Sequence, residues 1–437
     1  MQKNKKNLLA YMAACLAVGA SAACSTPCEP GRLCAPLSAN TSAVPAAGAL
    51  ATPATGASAG ASAMAQRKLG AGADAARAAS PAQGAVPAAS PGALLKPVAA
   101  RVALLLPLRS ESLGPAAQAV RDGFMAAFER DGEGVKVSLV ETGDGVQETL
   151  DAYAAAVEQN DIVVGPLARS AVEAVVSSPL VGKPTIVLNR PEQRGGGADL
   201  PLPPRMLVIG LSIEDEARQV ARWAAAEQSG AALIASGNTA WQRRIATAFS
   251  EQWRAGGRHA QALELDMSDG FLNPDSLAQL QEIIDSEHPA LLFAALNPLQ
   301  LRQLRAAIGN GLPVYGTSSI NPGLLLVKQN GAGVGSLDGI HVVDLPWELH
   351  PEHPAVMSYA RRPGSEQSLD LDRLYALGID AFRVLRAMTL DPAGDFSVDG
   401  LTGRLTISFG PGPARFERSE SAAVLRGGAF VPVQQGR

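Results

Sequence analysis

Five histidines, His259, His288, His341, His350 and His353, limit the metal and acid–base chemistry open to this 437-residue chain. None falls in the HExxH spacing that sets two imidazoles and a general base around zinc on one helical face. Glu348, His350, Glu352 and His353 crowd one stretch, but Pro351 and Pro354 interrupt it, so it reads as a polar loop rather than a metal-ligand set. Glu214, Asp215 and Glu216 fall in what the patterning makes the first turn of a helix, where carboxylates complement the dipole. Gly56-Ala57-Ser58-Ala59-Gly60 has the lettering of a nucleophile elbow without the strand-turn-helix that would present its serine. NGAGVGS at Asn330–Ser336 lacks the third glycine and the strand-to-helix setting of a dinucleotide loop. No cysteine lies beyond Cys34, so the rest of the chain has no thiol chemistry. The expectation is binding rather than catalysis, with no metal and no cofactor.

Residues suited to binding recur at the ends of apolar runs. RVALLLPL (Arg101–Leu108) breaks into Arg109 and Ser110, DIVVGPL (Asp161–Leu167) leads to Ser170, and PTIVLNR ends in Asn189 and Arg190. Asn238, Trp241, Thr317, Ser318 and Trp347 occupy corresponding places later in the chain or at crossings. Hydroxyls and free N–H groups at such places suit a carboxylate, because the helix dipole favours an anion. Plain helix capping accounts equally for Ser170, Asn238 and Thr239, and packing for the two tryptophans. Neither set contains an Asp placed to meet an ammonium group.

The elements that must position these residues alternate between strand and helix. Pro115 opens a helix, QAVRDGFMAAF, with Val120, Phe124 and Phe128 a turn apart, and ARSAVEAVV has Ser170 and Glu173 at capping-box spacing. VKVSLVE alternates like a half-solvated strand, PEQRGGGADLPLPP looks like a crossing between lobes, and RMLVIGL follows it. Ser212 caps IEDEARQVARWAAAEQ; then come AALIAS, WQRRIATAFSEQW, ALELD, LAQLQEIIDS, ALLFAAL, LQLRQLRAAIG and PVYGTSSI. LDGIHVVDLPW looks like a return crossing. LDRLYALGIDAFRVLRAM carries Leu374, Leu377, Phe382 and Leu385 near one face, for packing on the first lobe. LTGRLTISFG, ARFERSESAAVL and GGAFVPV read as antiparallel strands. The fold class is α/β, with two doubly wound lobes joined by hinge crossings, in the manner of a type I periplasmic binding protein. Residues 100–200 and 318–390 are assigned to lobe 1, and 201–317 and 391–437 to lobe 2.

Ahead of this lies a different kind of sequence. MQKNKKN followed by LLAYMAACLAVGASAA reads as a signal peptide, 1–23, too short and small-residued for a membrane span. Small residues before Cys24 resemble a lipobox, which would make Cys24 the lipidated first residue; ordinary signal-peptidase cleavage beside it is the alternative. Cys28 and Cys34 survive either cleavage, as a small disulfide loop or as two free thiols. Residues 24–99 are rich in Ala, Pro, Gly and Ser and read as a disordered tether preceding the fold. About 65 such residues span roughly 50 Å as a coil and roughly 200 Å when extended. A net charge of −4 and a pI near 5.8 give no footprint for nucleic acid, and 4% aromatic content argues against stacking platforms. Contact with a membrane is expected through the lipid anchor alone.

VALLLPL…AQAVRDGFMAAF, DIVVGPL, VLN, VYGTSSI, DLPW, LYALGIDAFRV and LTGRLTI resemble, in order, the C-terminal domain of the LppC/LpoA lipoprotein family. That resemblance implies an outer-membrane lipoprotein on the periplasmic side that binds and activates a class A penicillin-binding protein, a bifunctional peptidoglycan synthase. A periplasmic receptor for an amino acid or amide is the alternative, with a small-molecule ligand in the cleft. The best-known members carry a helical-repeat domain where this chain has its Ala/Pro-rich segment, so the expectation is that the segment supplies reach instead. Deleting about Pro45–Pro91 while keeping Cys24 should then abolish function in cells, and full activity of that deletion would refute the role.

Overall fold

A computed structural model of the chain describes residues 100–191, 202–323, 337–362, 368–391, 394–409 and 414–433. The signal peptide, Cys24, the Cys28–Cys34 pair, the tether and the Asn330–Ser336 segment lie outside them.

The first lobe is built on β1 (Ala100–Leu106), α1 (Gly114–Asp131), β2 (Val135–Glu141), α2 (Val146–Gln159), β3 (Ile162–Val164), α3 (Arg169–Val176), β4 (Thr185–Val187) and β5 (Met206–Val208). Its five strands are all parallel, in the order β2-β1-β3-β4-β5. Both faces of such a sheet are covered by helices, which is why β1 reads as one apolar run. Val102, Leu104 and Leu106 enter the core on one face, while Ala103 and Leu105 enter the core on the other. Each such leucine contributes about 1.5–3 kcal/mol of burial.

The second lobe begins with α4 (Ile213–Glu227). It continues through β6 (Ala232–Ser236), α5 (Ala240–Ala255), β7 (Ala260–Glu264), the short hairpin β8 (Met267–Ser268) and β9 (Phe271–Leu272), α6 (Pro274–Glu287), β10 (Leu291–Ala295), α7 (Pro298–Ile308), β11 (Val314–Gly316) and β12 (Ile340–Asp344). After α8 (Leu369–Leu390) the chain forms β13 (Asp395–Asp399), β14 (Arg404–Ser408), β15 (Arg415–Ser419), β16 (Ser421–Arg426) and β17 (Ala429–Val433). The second sheet has seven strands, β17-β16-β12-β11-β10-β6-β7, in which β16 alone runs against the others and pairs antiparallel with both β12 and β17. β13, β14 and β15 make a separate antiparallel sheet.

Strand pairing redraws several expected boundaries. The Gly/Pro-rich PEQRGGGADLPLPP does not cross between lobes: β5 follows it and still pairs β4, Thr185 against Met206. The crossing comes immediately after, at Ile209–Ser212. Residues 340–344, expected in the first lobe, run in the second sheet beside β11 and β16. The three-stranded sheet, expected in the second lobe, packs Leu405 and Ile407 into the first lobe's core. Ala168, not Ser170, caps α3; Ser170 sits exposed in its first turn, so the Ser170–Glu173 capping box does not start the helix.

Helix α8 packs on the first lobe as its apolar face predicts. Leu377, Phe382 and Leu385 are fully buried there with Leu374 at the margin, and Phe382 meets Phe124 and Phe128 edge-on at 5.3 and 5.9 Å. Two glycines set the spacing. A Cβ on Gly378 would lie 2.1 Å from the Val120 carbonyl oxygen, and one on Gly123 1.9 Å from that of Tyr375. Because the obstacles are backbone atoms, Gly378→Ala should destabilise the domain by about 1–3 kcal/mol in urea unfolding, and a neutral result would contradict this packing.

Candidate functional site

Three crossings join the lobes: Ile209–Ser212 between β5 and α4, Asp344–Trp347 after β12, and Ser419–Glu420 between β15 and β16. One buried polar network holds them. Arg373 of α8 grips Asp344 with both Nε (3.1 Å to Oδ1) and Nη2 (2.7 Å to Oδ2), and Asp344 is wholly buried. Asn321 donates to the same Oδ2 at 2.7 Å. Nη2 of Arg373 also donates to the Ser318 carbonyl at 3.1 Å, while the Ser318 N–H donates to Glu216 at 2.8 Å.

The third crossing is stitched to the first. Arg418 donates to the carbonyls of Ile209 (2.6 Å) and Gly210 (2.9 Å), and through Nε to Thr402 (3.2 Å). Gln219 of α4 pairs with the Glu420 backbone in both directions, at 2.8 and 3.0 Å. Nearby, Asp380 is fully buried and accepts from Leu401 N–H and from the N–H and hydroxyl of Thr402.

Acids outnumber bases here, and burial decides their protonation. Burial first, and the negative charge of Asp344 second, push the Glu216 carboxyl up to about 7. The same two causes, in the same order, push Glu348 up to about 8. Arg373 moves upward from its usual value: burial opposes its charge, but Asp344 outweighs burial by attraction and hydrogen bonding.

The expected rim residues divide by what they touch. Ser318 belongs to the central network, whereas Arg190 forms an ion pair with Asp215, which Arg218 also holds at 2.6 Å. Arg109 pairs with Glu148 on the surface, and buried Ser110 accepts from the Leu113 N–H at 2.9 Å and donates to Asp144. Asn189 donates to the Leu167 carbonyl and accepts from the Arg190 N–H. Asn238 is exposed next to the true cap, Thr239, whose hydroxyl donates to Gln242 at 2.7 Å. Trp241 packs at the edge of the second core. Thr317 is fully buried, capping a short 3-10 turn, and so is no rim residue. Trp347 is likewise closed to solvent in the first core, with the Arg361 guanidinium 4.0 Å above its ring.

The three acids that open α4 also part company. Glu214 pairs with Arg244 at 2.7 Å and Asp215 with two arginines, whereas Glu216 is buried. Its position was legible: Glu216, Val220 and Trp223 follow at i, i+4 and i+7 on the face that enters the core. Asp344, Arg373, Arg418 and Glu420 escaped the sequence reading. The available signal was a charge inside an apolar phrase, Asp in GIHVVDLPW and Arg in LDRLYALG. In the Pro-interrupted stretch, His353 accepts the Ala355 N–H and so caps a helical turn, while His350 faces Glu352 at 3.7 Å. Among the described residues, no group of three or more His, Cys, Asp or Glu is arranged to hold a metal, and no helix is long and apolar enough to cross a membrane.

The raised carboxyls make stability pH-dependent with a defined sign. An acid whose pKa rises on folding binds more protons folded than unfolded, so its contribution is present below the unfolded value, about 4.3, and is lost as pH climbs through the folded one. For Glu348 the window runs from there to about 8, with a slope of up to about 1.4 kcal/mol per pH unit. Glu348→Gln should flatten the pH profile of unfolding and raise stability at pH 8 relative to the parent; an unchanged profile would contradict the assignment.

Residues 92–412 match the family model described as "LppC putative lipoprotein". The chain is 27% identical over 319 residues to the penicillin-binding protein activator LpoA of Vibrio cholerae, covering 67% of this chain and 52% of that protein. It spans about half the length of the curated relatives it matches. Among solved structures, the LpoA C-domain from Haemophilus influenzae, described as a regulator of PBP1A, superposes with a TM-score of 0.62 at 23% identity, over 76% of this chain and all of that one. A "putative branched-chain amino acid ABC transporter" from Chromobacterium violaceum superposes with a TM-score of 0.59 at 30% identity, over 74% and 99%. The fold is accordingly that of the LpoA C-domain and of the periplasmic-binding-protein-like receptors. With well over half its length matched by the family model, the chain belongs to the LppC lipoprotein family.

Proposed function

We propose that this chain is a lipid-anchored lipoprotein of the outer membrane's periplasmic face, whose two-lobed domain binds a class A penicillin-binding protein and stimulates its peptidoglycan synthesis. The observation that carries the reading is the identity to penicillin-binding protein activators through most of the folded region. The crossings agree with it. Arg373–Asp344, Arg418 and Gln219 tie all three to one buried network, which favours a body of fixed shape over a hinge that closes on a solute. Activation then works by differential binding: the domain shifts the synthase towards its active conformation only by as much as its affinities for the two states differ.

The test is a pull-down from solubilised membranes with the full chain immobilised. Enrichment of a peptidoglycan synthase, and faster glycan synthesis when the chain is added to that purified synthase, are the expected results; absence of any synthase from the bound fraction refutes the proposal. A second reading, a solute receptor, draws support from the 30% identity over nearly the whole of the Chromobacterium protein. It requires a metabolite that both raises the melting temperature by mass action and closes the lobes, seen as a smaller radius of gyration in solution scattering. Binding without closure belongs to the activator.

A further inference from the structure

A cavity of about 210 Å³ lies beside the first and third crossings, lined by Gly210, Ser212, Phe416 and several charged residues of α4 and β15. Glu420 lines it and is 7% exposed. Its Oε2 is buried, and among the described residues no group donates a hydrogen bond to it. A buried carboxyl oxygen without a hydrogen-bond partner costs about 1–3 kcal/mol, so the position calls for one.

The neighbours do not supply it. Arg418 spends one N–H on each of Thr402, Gly210 and Ile209, and its remaining two do not reach Oε2. Gln219 is engaged with the Glu420 backbone. Glu216, also lining the cavity, accepts the Ser318 N–H and is a second buried acid beside it. Asp344 and Asp215 repel the Glu420 carboxyl further, so that burial, Glu216 and these two outweigh Arg418 and hold it well above the usual carboxylate range. A donor carrying positive charge would satisfy Oε2 and relieve the repulsion together. A metal ion lacks a ligand set here. Arg190, Arg218 and Arg222 line the same cavity, the first two paired with Asp215 and the third in no ion pair among the described residues.

We propose that this cavity binds a small zwitterion, its ammonium group donating to Glu420 beside Glu216 and its carboxylate facing Arg190, Arg218 and Arg222. Size limits the ligand to a few heavy atoms beyond the two charged groups, since drug-sized molecules occupy roughly 300–1,000 Å³. Of the rim residues expected from the sequence only Arg190 takes part, so this is a site at the crossings and not the facing strand ends. It is independent of the penicillin-binding protein partner.

The test is calorimetric titration of the full chain with glycine, L-alanine, D-alanine and β-alanine, with methylammonium and acetate as singly charged controls. At least one zwitterion should bind where both controls fail. Because binding ionises Glu420, the heat should vary with the buffer's ionisation enthalpy in the sense of proton release. Glu420→Gln should weaken binding by about tenfold or more and abolish the proton release. Should that variant not fold, Arg222→Glu, an exposed change in the cavity lining, should weaken binding by about tenfold and leave the circular dichroism spectrum unchanged. No heat from any zwitterion at millimolar concentration, binding of a control as tight as that of the zwitterions, or unchanged affinity in the folded variants overturns the proposal. Loss of the synthase interaction would leave these titrations unaffected, so the two proposals fail separately.

Discussion

The buried pair Arg373–Asp344 is the interaction on which the two-lobed arrangement depends. Asp344 ends a strand of the second sheet; Arg373 projects from the helix that completes the first lobe. Two hydrogen bonds in parallel fix both the distance and the relative orientation of these elements, because the guanidinium fork and the carboxylate are planar. Removing either partner would strand a charge in the interior at a cost of about 3–5 kcal/mol, whereas exchanging both for apolar residues need cost little. The pair is therefore better understood as a specifier of geometry than as a reserve of stability.

Around that pair the remaining polar groups divide the work. Ser318 is held from both sides, its N–H by Glu216 and its carbonyl by Arg373, so the 3-10 turn after β11 is anchored to α4 and α8 at once. Arg418 closes the opposite side by gripping two consecutive carbonyls of another crossing. A receptor that opens and closes needs crossings whose backbone torsions change freely. Here the backbone groups that would have to rotate are themselves hydrogen-bonded in the interior. The architecture is that of a receptor, and its moving parts are fastened, which suits a domain that presents a constant surface to another protein.

Much of this was legible from residue order. Apolar runs of strand length ending in polar residues located β1, β3, β4, β6, β10 and β11, and the spacing of Leu377, Phe382 and Leu385 gave the buried face of α8. What escaped was partnership. IHVVD and MLV are equally apolar whichever sheet they join, and that choice rests on the strands each one pairs with, β11 and β16 for the first and β4 for the second. The same limit hid the centre of the network. Asp344, Arg373 and Glu420 are unremarkable locally, and they acquire meaning only when the crossings bring them within 3 Å of groups on other elements. Trp347 failed as a rim candidate for a related reason: a large aromatic next to a crossing suits a core as well as a cleft, and only its neighbours Tyr375 and Arg361 decide the matter.

The close contact of α1 with α8 through Gly123 and Gly378 carries a consequence for the order in which the domain acquires its structure. The first lobe's sheet is made of residues 100–208, yet Phe124 and Phe128 find their aromatic partner only in Phe382. The whole second lobe up to β12 must therefore emerge before the first can seal its own core. Contacts so distant along the chain close slowly, because the intervening loop's entropy is lost before the contact is gained. A chain made N-terminus first therefore holds an unsealed apolar face on α1 until α8 follows it.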